Sequence, residues 1–331
     1  ITTGTQLVAV GRHALALNTT GSQVTACGYS ALYANTTGNS NTALGYAALT
    51  TNTTGSSNVA VGRDALYTNN GSSNTAIGHQ AMEANTTGSE NTALGNNALD
   101  ANTTASYNTA LGYNALTANT TGEQNCAVGR AALQTNVDGN YNTAVGYNSL
   151  INSTGASNTA VGRAALTTLT TGAGNTGIGK DALIVCSTGS SNTAVGNGAL
   201  DACTTSENTA VGTDSLGALS TGNSNTAIGA DSAEFLTTGN SCVAVGHDCM
   251  RYSNGSFNVA VGRRALLGSS GNTSGQYNTA MGYDALKSLT TGAQNVAIGQ
   301  AAGDACTTGY QNTYVGDNAG NTHATGANCI L

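Results

Sequence analysis

The residues equipped for chemistry in this 331-residue chain are few, and their spacing argues against a reaction centre. Eight cysteines, at 27, 126, 186, 203, 242, 249, 306 and 329, include no Cys-x-x-Cys pair and no Cys/His spacing suited to zinc. His13, His79, His247 and His323 lie far apart and read as structural or solvated residues, with no convergence on a metal. Asp64, Asp181, Asp214, Asp231, Asp248 and Asp284 recur at one turn position, where aspartate commonly bonds its own backbone. The Gly-rich, Asp-punctuated pattern of calcium-binding rolls is missing. No nucleophile elbow, phosphate loop or paired-carboxylate constellation stands out. The chain therefore reads as a non-enzyme that needs no cofactor.

Those residues sit on a repeat that fills almost the whole sequence. Nineteen glycines, from Gly11 to Gly316, each close a segment of the type Asn-Thr-Ala-[Val/Leu/Ile]-Gly; of the 18 gaps, 13 are 17 residues, four are 16 and one is 20. So regular a short period marks a solenoid, in which each coil contacts mainly its neighbours. The fold class expected is all-β: a parallel β-solenoid or β-roll of about 19 coils, residues 1–331 forming one continuous array. The chain opens at Ile1-Thr2-Thr3-Gly4 in the second half of a coil and closes at Asn328-Cys329-Ile330-Leu331 in the start of another, which reads as a segment of a longer chain.

Counted from the coil glycine as zero, positions −4 to −1 read Asn, Thr, Ala, aliphatic. An apolar pair follows at +3 and +4, as in Ala48-Leu49, and then a polar corner, as in Asn35-Thr36-Thr37-Gly38. Two short strands and two turns per coil is the simplest expectation. The absence of proline suits strands whose amides all donate to the next coil.

Alternation along the strand places −4, −2 and 0 on one face and −3 and −1 on the other. The −1 column is apolar throughout, and −3 exchanges Thr for Val8, Val59, Val243, Val259 and Val296. Since −2 is almost always Ala, both faces read as buried, and a strand buried on both sides needs a partner. Nineteen exposed aliphatics would forgo roughly 30–55 kcal/mol of gross burial energy at about 1.5–3 kcal/mol each. Side-by-side association through Val8, Val10, Thr42, Leu44, Val59, Val61, Val259 and Val261 is the consequence.

At +7 stand Asn18, Asn35, Asn52, Asn102 and Asn119, each followed by Thr-Thr and so matching a glycosylation acceptor. Equivalent positions elsewhere hold Ile1, Leu169, Cys186, Cys203, Leu219, Leu236, Leu289 and Cys306, which favours an inward Asn ladder over a glycan-bearing one. Cys186 and Cys203 share that column in adjacent coils, close enough for a disulfide at strand spacing. Position +1 alternates Tyr29, Tyr46, Tyr113, Tyr147 and Tyr283 with arginines, a stripe open either to binding a sugar or receptor or to packing on its neighbours.

Composition narrows the partners. Charged residues are 8%, net charge is −7 and pI is about 4.8, so a nucleic-acid face is excluded. No apolar run is long enough to span a membrane.

Runs such as Asn142-Thr143-Ala144-Val145-Gly146-Tyr147-Asn148-Ser149-Leu150 and Asn41-Thr42-Ala43-Leu44-Gly45-Tyr46-Ala47-Ala48-Leu49 resemble the head repeats of trimeric autotransporter adhesins. They are also similar to Asn-Thr-Ala-x-Gly arrays in predicted phage and algal-virus tail fibres and other large surface proteins. That resemblance, which covers almost the whole chain, implies that the −4 to 0 strand forms the inner sheet of a β-roll. Three chains would pack through it, with Val8/Val10, Thr42/Leu44 and Val259/Val261 toward a threefold axis. It further implies a surface that binds host matrix or receptor.

The leading functional expectation is a structural and adhesive fibre shaft, about 90 Å long at roughly 4.8 Å per coil, displayed outside the cell on a virion or cell surface. A self-assembling extracellular filament without a receptor is the alternative. Ice binding through the −3 Thr ladder is a minor one.

Overall fold

The computed structural model describes residues 3–269 and 273–331. Ile1, read as a corner residue, lies outside them. The described chain is all-β: nineteen parallel strands wind as a β-solenoid, and no described residue is helical. It divides into two compact units, Ile1–Ala164 and Ala165–Leu331. Unit 1 carries β1 (Leu7–Val10) to β10 (Thr159–Val161), and unit 2 carries β11 (Thr176–Ile178) to β19 (Thr313–Val315).

Register follows the repeat residue for residue. β3 (Thr42–Leu44) pairs with β4 (Val59–Val61) as Thr42 with Val59, Ala43 with Ala60 and Leu44 with Val61. In unit 2, β13 (Thr209–Val211) pairs with β14 (Thr226–Ile228) in the same way.

The expected second strand is not a strand. After the coil glycine the chain runs through six turn residues whose backbone handedness alternates. Non-glycine residues at +2 and +4 take positive φ, as at Ala47 (55°) and Leu49 (53°), or Asp64 (58°) and Leu66 (51°). A strand would send Ala48 and Leu49 to opposite faces, yet both are fully buried. The left-handed conformation costs about 1–2 kcal/mol per residue, and burying a leucine returns about 1.5–3 kcal/mol, so the +4 leucine offsets its own backbone. At +2 the recurring Asp residues tolerate that conformation better than most.

These turns still knit coil to coil. In the Gly45 coil, the Gly45 and Ala47 amides donate back to Cys27 and Tyr29 (both 2.9 Å), while those of Leu49 and Thr51 donate forward to Ala65 (3.0 Å) and Tyr67 (3.1 Å). The zero glycine is obligatory. At Gly112, φ is +140°, and an added Cβ would lie 2.7 Å from the Gly129 carbonyl carbon and closer still to its oxygen.

The interior is formed by Ala at −2, Ala-Leu at +3 and +4, and two corner columns at −4 and +7. The −4, −2 and 0 side of the strand is therefore the inside. The −3 and −1 side, expected to be covered as well, faces outward in the single chain.

Candidate functional site

The outward sheet face is a ladder of Thr or Val beside a ladder of aliphatics. Val8, Val10 and Leu44 are exposed by 49%, 55% and 49%; Thr42 and Val259 are also exposed, and Val59, Val61 and Val261 are half-buried. Unit 1 carries the stripe on through Ile77, Leu94 and Leu111; unit 2 has its own, with Ile178, Ile228, Met281 and Ile298. Each position is outward because the adjacent Ala must point in. The same alternation that fills the core thus builds the apolar face. Cys27 and Cys126 lie on this face as half-buried free thiols.

The +7 asparagines point inward. Asn18, Asn35, Asn52, Asn102 and Asn119 are buried, and each Nδ2 donates to a corner carbonyl three residues on, as Asn35 to Gly38 (3.0 Å). Rung-to-rung bonds join Asn35 to Asn18 Oδ1 (2.7 Å), Asn52 to Asn35 Oδ1 (3.0 Å) and Asn119 to Asn102 Oδ1 (3.2 Å). An amide nitrogen so engaged is not presented to a glycosylating enzyme in the folded chain. The −4 column makes a second ladder, in which Asn41 Oδ1 accepts from the Asn58 backbone (2.9 Å) and Asn41 Nδ2 donates to Gly55 (2.7 Å).

The disulfide considered between Cys186 and Cys203 is not made. Both are buried free thiols that point at their own corner carbonyls, Gly189 (3.8 Å) and Thr205 (3.7 Å). Burial, with a smaller contribution from Cys203, pushes the Cys186 thiol up to about 11, so it stays protonated and unreactive.

The +1 stripe packs on itself. Tyr29 and Tyr46 stack with ring centroids 5.2 Å apart and 9° between planes, and Arg12 and Arg63 cover their outer faces at 6.0 and 5.8 Å. Arg130 lies over Tyr113 (5.9 Å) and Tyr147 (5.4 Å) and bonds the Tyr147 hydroxyl (3.1 Å). Ring edges and hydroxyls, not open faces, are what this ladder offers a ligand. A cleft beside it is lined by Tyr29, Tyr46, Tyr67, Asp64, Glu83 and Thr50.

Two features escaped the sequence reading. At −5, Phe257 and Tyr277 of adjacent coils are exposed and stacked, with ring centroids 5.0 Å apart. In unit 2, Arg251 gathers Asp248 (2.8 Å), Glu234 (2.7 Å) and Asp231 (3.7 Å) while lying over Phe235 and Tyr252. His247 Nδ1 sits 2.8 Å from Asp248 Oδ2, so this histidine converges with Asp231 and Asp248 and not with other histidines. Arg251 already supplies the positive charge there. Regular +2 and +5 spacing was the available signal, since those positions of adjacent coils stack.

Among the described residues, no helix is long and apolar enough to cross a membrane. The geometry defines a class: a parallel β-solenoid with amide-laddered corners and, in each unit, an apolar outer face. No protein-family model matches the sequence, and the curated proteins searched contain no match to it.

Proposed function

We propose that this chain is the shaft of an extracellular fibre, displayed on a virion or cell surface, in which copies pack side by side through the −3/−1 face and no reaction is catalysed. The observation that carries the reading is the apolar ladder itself: Val10, Leu44, Leu94, Leu111 and their neighbours are exposed in register on one face. Soluble monomers rarely expose a contiguous apolar surface of that kind, and three copies around an axis would cover it. Adhesion to a receptor or glycan falls to the outer turns, where Tyr hydroxyls and the acids beside them face solvent.

Sedimentation of the chain tests the association. Trimers are expected, and Leu94→Glu with Leu111→Glu should reduce them to monomers without loss of β-structure. A parallel, in-register arrangement brings Cys27 of one copy beside Cys27 of another, so mild oxidation should give a Cys27-linked dimer. Monomers at high concentration would overturn the reading. Open-ended polymers that survive the glutamate substitutions would favour a filament stacked coil on coil.

A further inference from the structure

We propose that a notch at Gly217, on the turn side of unit 2, receives the guanidinium of an arginine side chain presented by a partner protein. This names the partner chemistry for the adhesive part of the function proposed above, and it does not depend on side-by-side packing. Asp201, Asp214, Glu234 and Phe235 surround the notch, and the small residues Gly217 and Ala218 leave it open. Its residues belong to the +2, +5 and +6 columns, away from the −3/−1 face, and coils of unit 2 continue on both sides of it.

The notch exists because one rung has no side chain. In the +5 column Asp201, Gly217, Glu234 and Arg251 follow one another in successive coils, so Asp201 and Glu234 stand about 10 Å apart, two coil spacings, with only Gly217 between them. The backbone does not demand glycine there. Its φ lies outside the left-handed region, and its amide donates to the Asp214 carbonyl (3.2 Å) as that of Lys287 does to Asp284 (3.2 Å). In the +6 column Tyr252 stacks on one side of Phe235 (5.2 Å), while the neighbour on the other side is only Ala218.

The chain itself shows what such a place holds. Two coils on, Arg251 fills the same +5 position: its guanidinium meets the +2 acid of its own coil, Asp248 (2.8 Å), and the +5 acid of the coil before, Glu234 (2.7 Å), beside the Phe235 and Tyr252 rings. Gly217 has the same two acids around it, Asp214 at +2 of its own coil and Asp201 at +5 of the coil before, with Phe235 of the next coil as an aromatic wall. Of the six +2 aspartates, Asp64, Asp181, Asp231, Asp248 and Asp284 each pair with a lysine or arginine. Among the described residues, neither Asp214 nor Asp201 makes an ion pair.

The carboxylates converge on the empty rung. Asp201 Oδ1 lies 3.7 Å from where a Gly217 Cβ would stand. Burial, and then Asp214, hold the Asp201 carboxyl above its ordinary range, as befits facing acids with no cation between them. A planar guanidinium can fork to two carboxylates on different coils and lie against a ring at once, which a compact ammonium cannot. The notch is one rung deep, so it takes the headgroup and leaves the backbone that carries it outside.

A blocked peptide with a single arginine beside a photoreactive residue, illuminated with the intact chain and mapped by mass spectrometry, should label the coils from Asp201 to Phe235. The same peptide with citrulline, which keeps the shape and loses the charge, should label them at least about tenfold less. Asp201→Asn combined with Asp214→Asn should lose a similar factor. Gly217→Arg gives the notch a guanidinium of its own; it should abolish the labelling and leave the melting temperature at or above that of the wild type. The Gly62 coil, where Asp64 already holds Arg63, is the internal control and should show no preference for the arginine peptide. Equal labelling by the two peptides, or labelling that survives Gly217→Arg in a folded chain, would overturn the proposal. Should Gly217→Arg fail to fold, the citrulline comparison and the paired asparagine variant decide it. Monomers that take the arginine peptide would sink the side-by-side packing and leave this site standing; trimers that ignore it would do the reverse.

Discussion

At the +7 corner the two units put opposite chemistry in the same place. Unit 1 fills the column with asparagine from Asn18 to Asn136, each rung bonded to the one before; unit 2 fills it mostly with Leu169, Cys186, Cys203, Leu219, Leu236, Leu289 and Cys306. Backbone and register are alike. Either a fully satisfied amide column or a fully apolar one closes the corner, because a buried polar group is costly only when its partners are missing. Mixing the two leaves a polar group unmet. Where unit 1 changes from Asn136 to Ser153, Asn136 Oδ1 is left buried with no partner.

The largest effect expected is one the units share. Gly112→Ala and Gly229→Ala each drive a side chain into the next coil's carbonyl at positive φ. Each should cost several kcal/mol, more than about 3, in chemical denaturation. A markedly smaller loss in one unit would show that its zero column is not the shared foundation.

Exchanging the corners comes next. Asn102→Leu leaves Asn85 Oδ1 without its donor and takes one of two donors from the Ala105 carbonyl and one of two acceptors from Asn119 Nδ2, while Leu219→Asn places an amide among apolar neighbours. Both should destabilise by about 2–4 kcal/mol, read as lost amide protection confined to the substituted unit. Neutrality in either direction would break the comparison. Ser153→Asn should act the other way and gain about 0.5–1.5 kcal/mol, since it restores a donor to Asn136 Oδ1.

The smallest effects are electrostatic and opposite in sign. Asp284 titrates below its ordinary range because the Arg264 hydrogen bond and the Lys287 and Arg264 charges outweigh its burial. Its stabilisation is present above the unfolded carboxylate range and is lost as pH falls. Asp201 titrates above that range through burial and the nearby Asp214, so its folded form favours the proton and it costs stability once pH rises past that raised value. Asp284→Asn should therefore lower the melting temperature at pH 7 and Asp201→Asn should raise it. Both differences should shrink toward pH 3.

Much of this architecture was legible in columns. The zero glycine and the inward Asn at −4 and +7 repeat often enough for their substitutions to reveal their surroundings, whereas the apolar −1 row, read as covered, faces outward in the single chain. The second strand was misread because left-handed backbone at +2 and +4 is occupied by Ala and Leu, which carry no local signature of it. Arg251 was missed because its acids stand in different coils, 3 to 20 residues away, at positions that stack only once the coil closes.

The alternating handedness of the turn has an optical consequence. Right- and left-handed helical conformations are mirror images in φ and ψ, so their contributions to far-ultraviolet circular dichroism carry opposite signs. Each coil holds a three- or four-residue strand beside a segment whose +2 and +4 residues are inverted. The spectrum of the folded chain should therefore be weak for so ordered a molecule. A faint signal, taken at face value, would make one of the most regular backbones look like a disordered one.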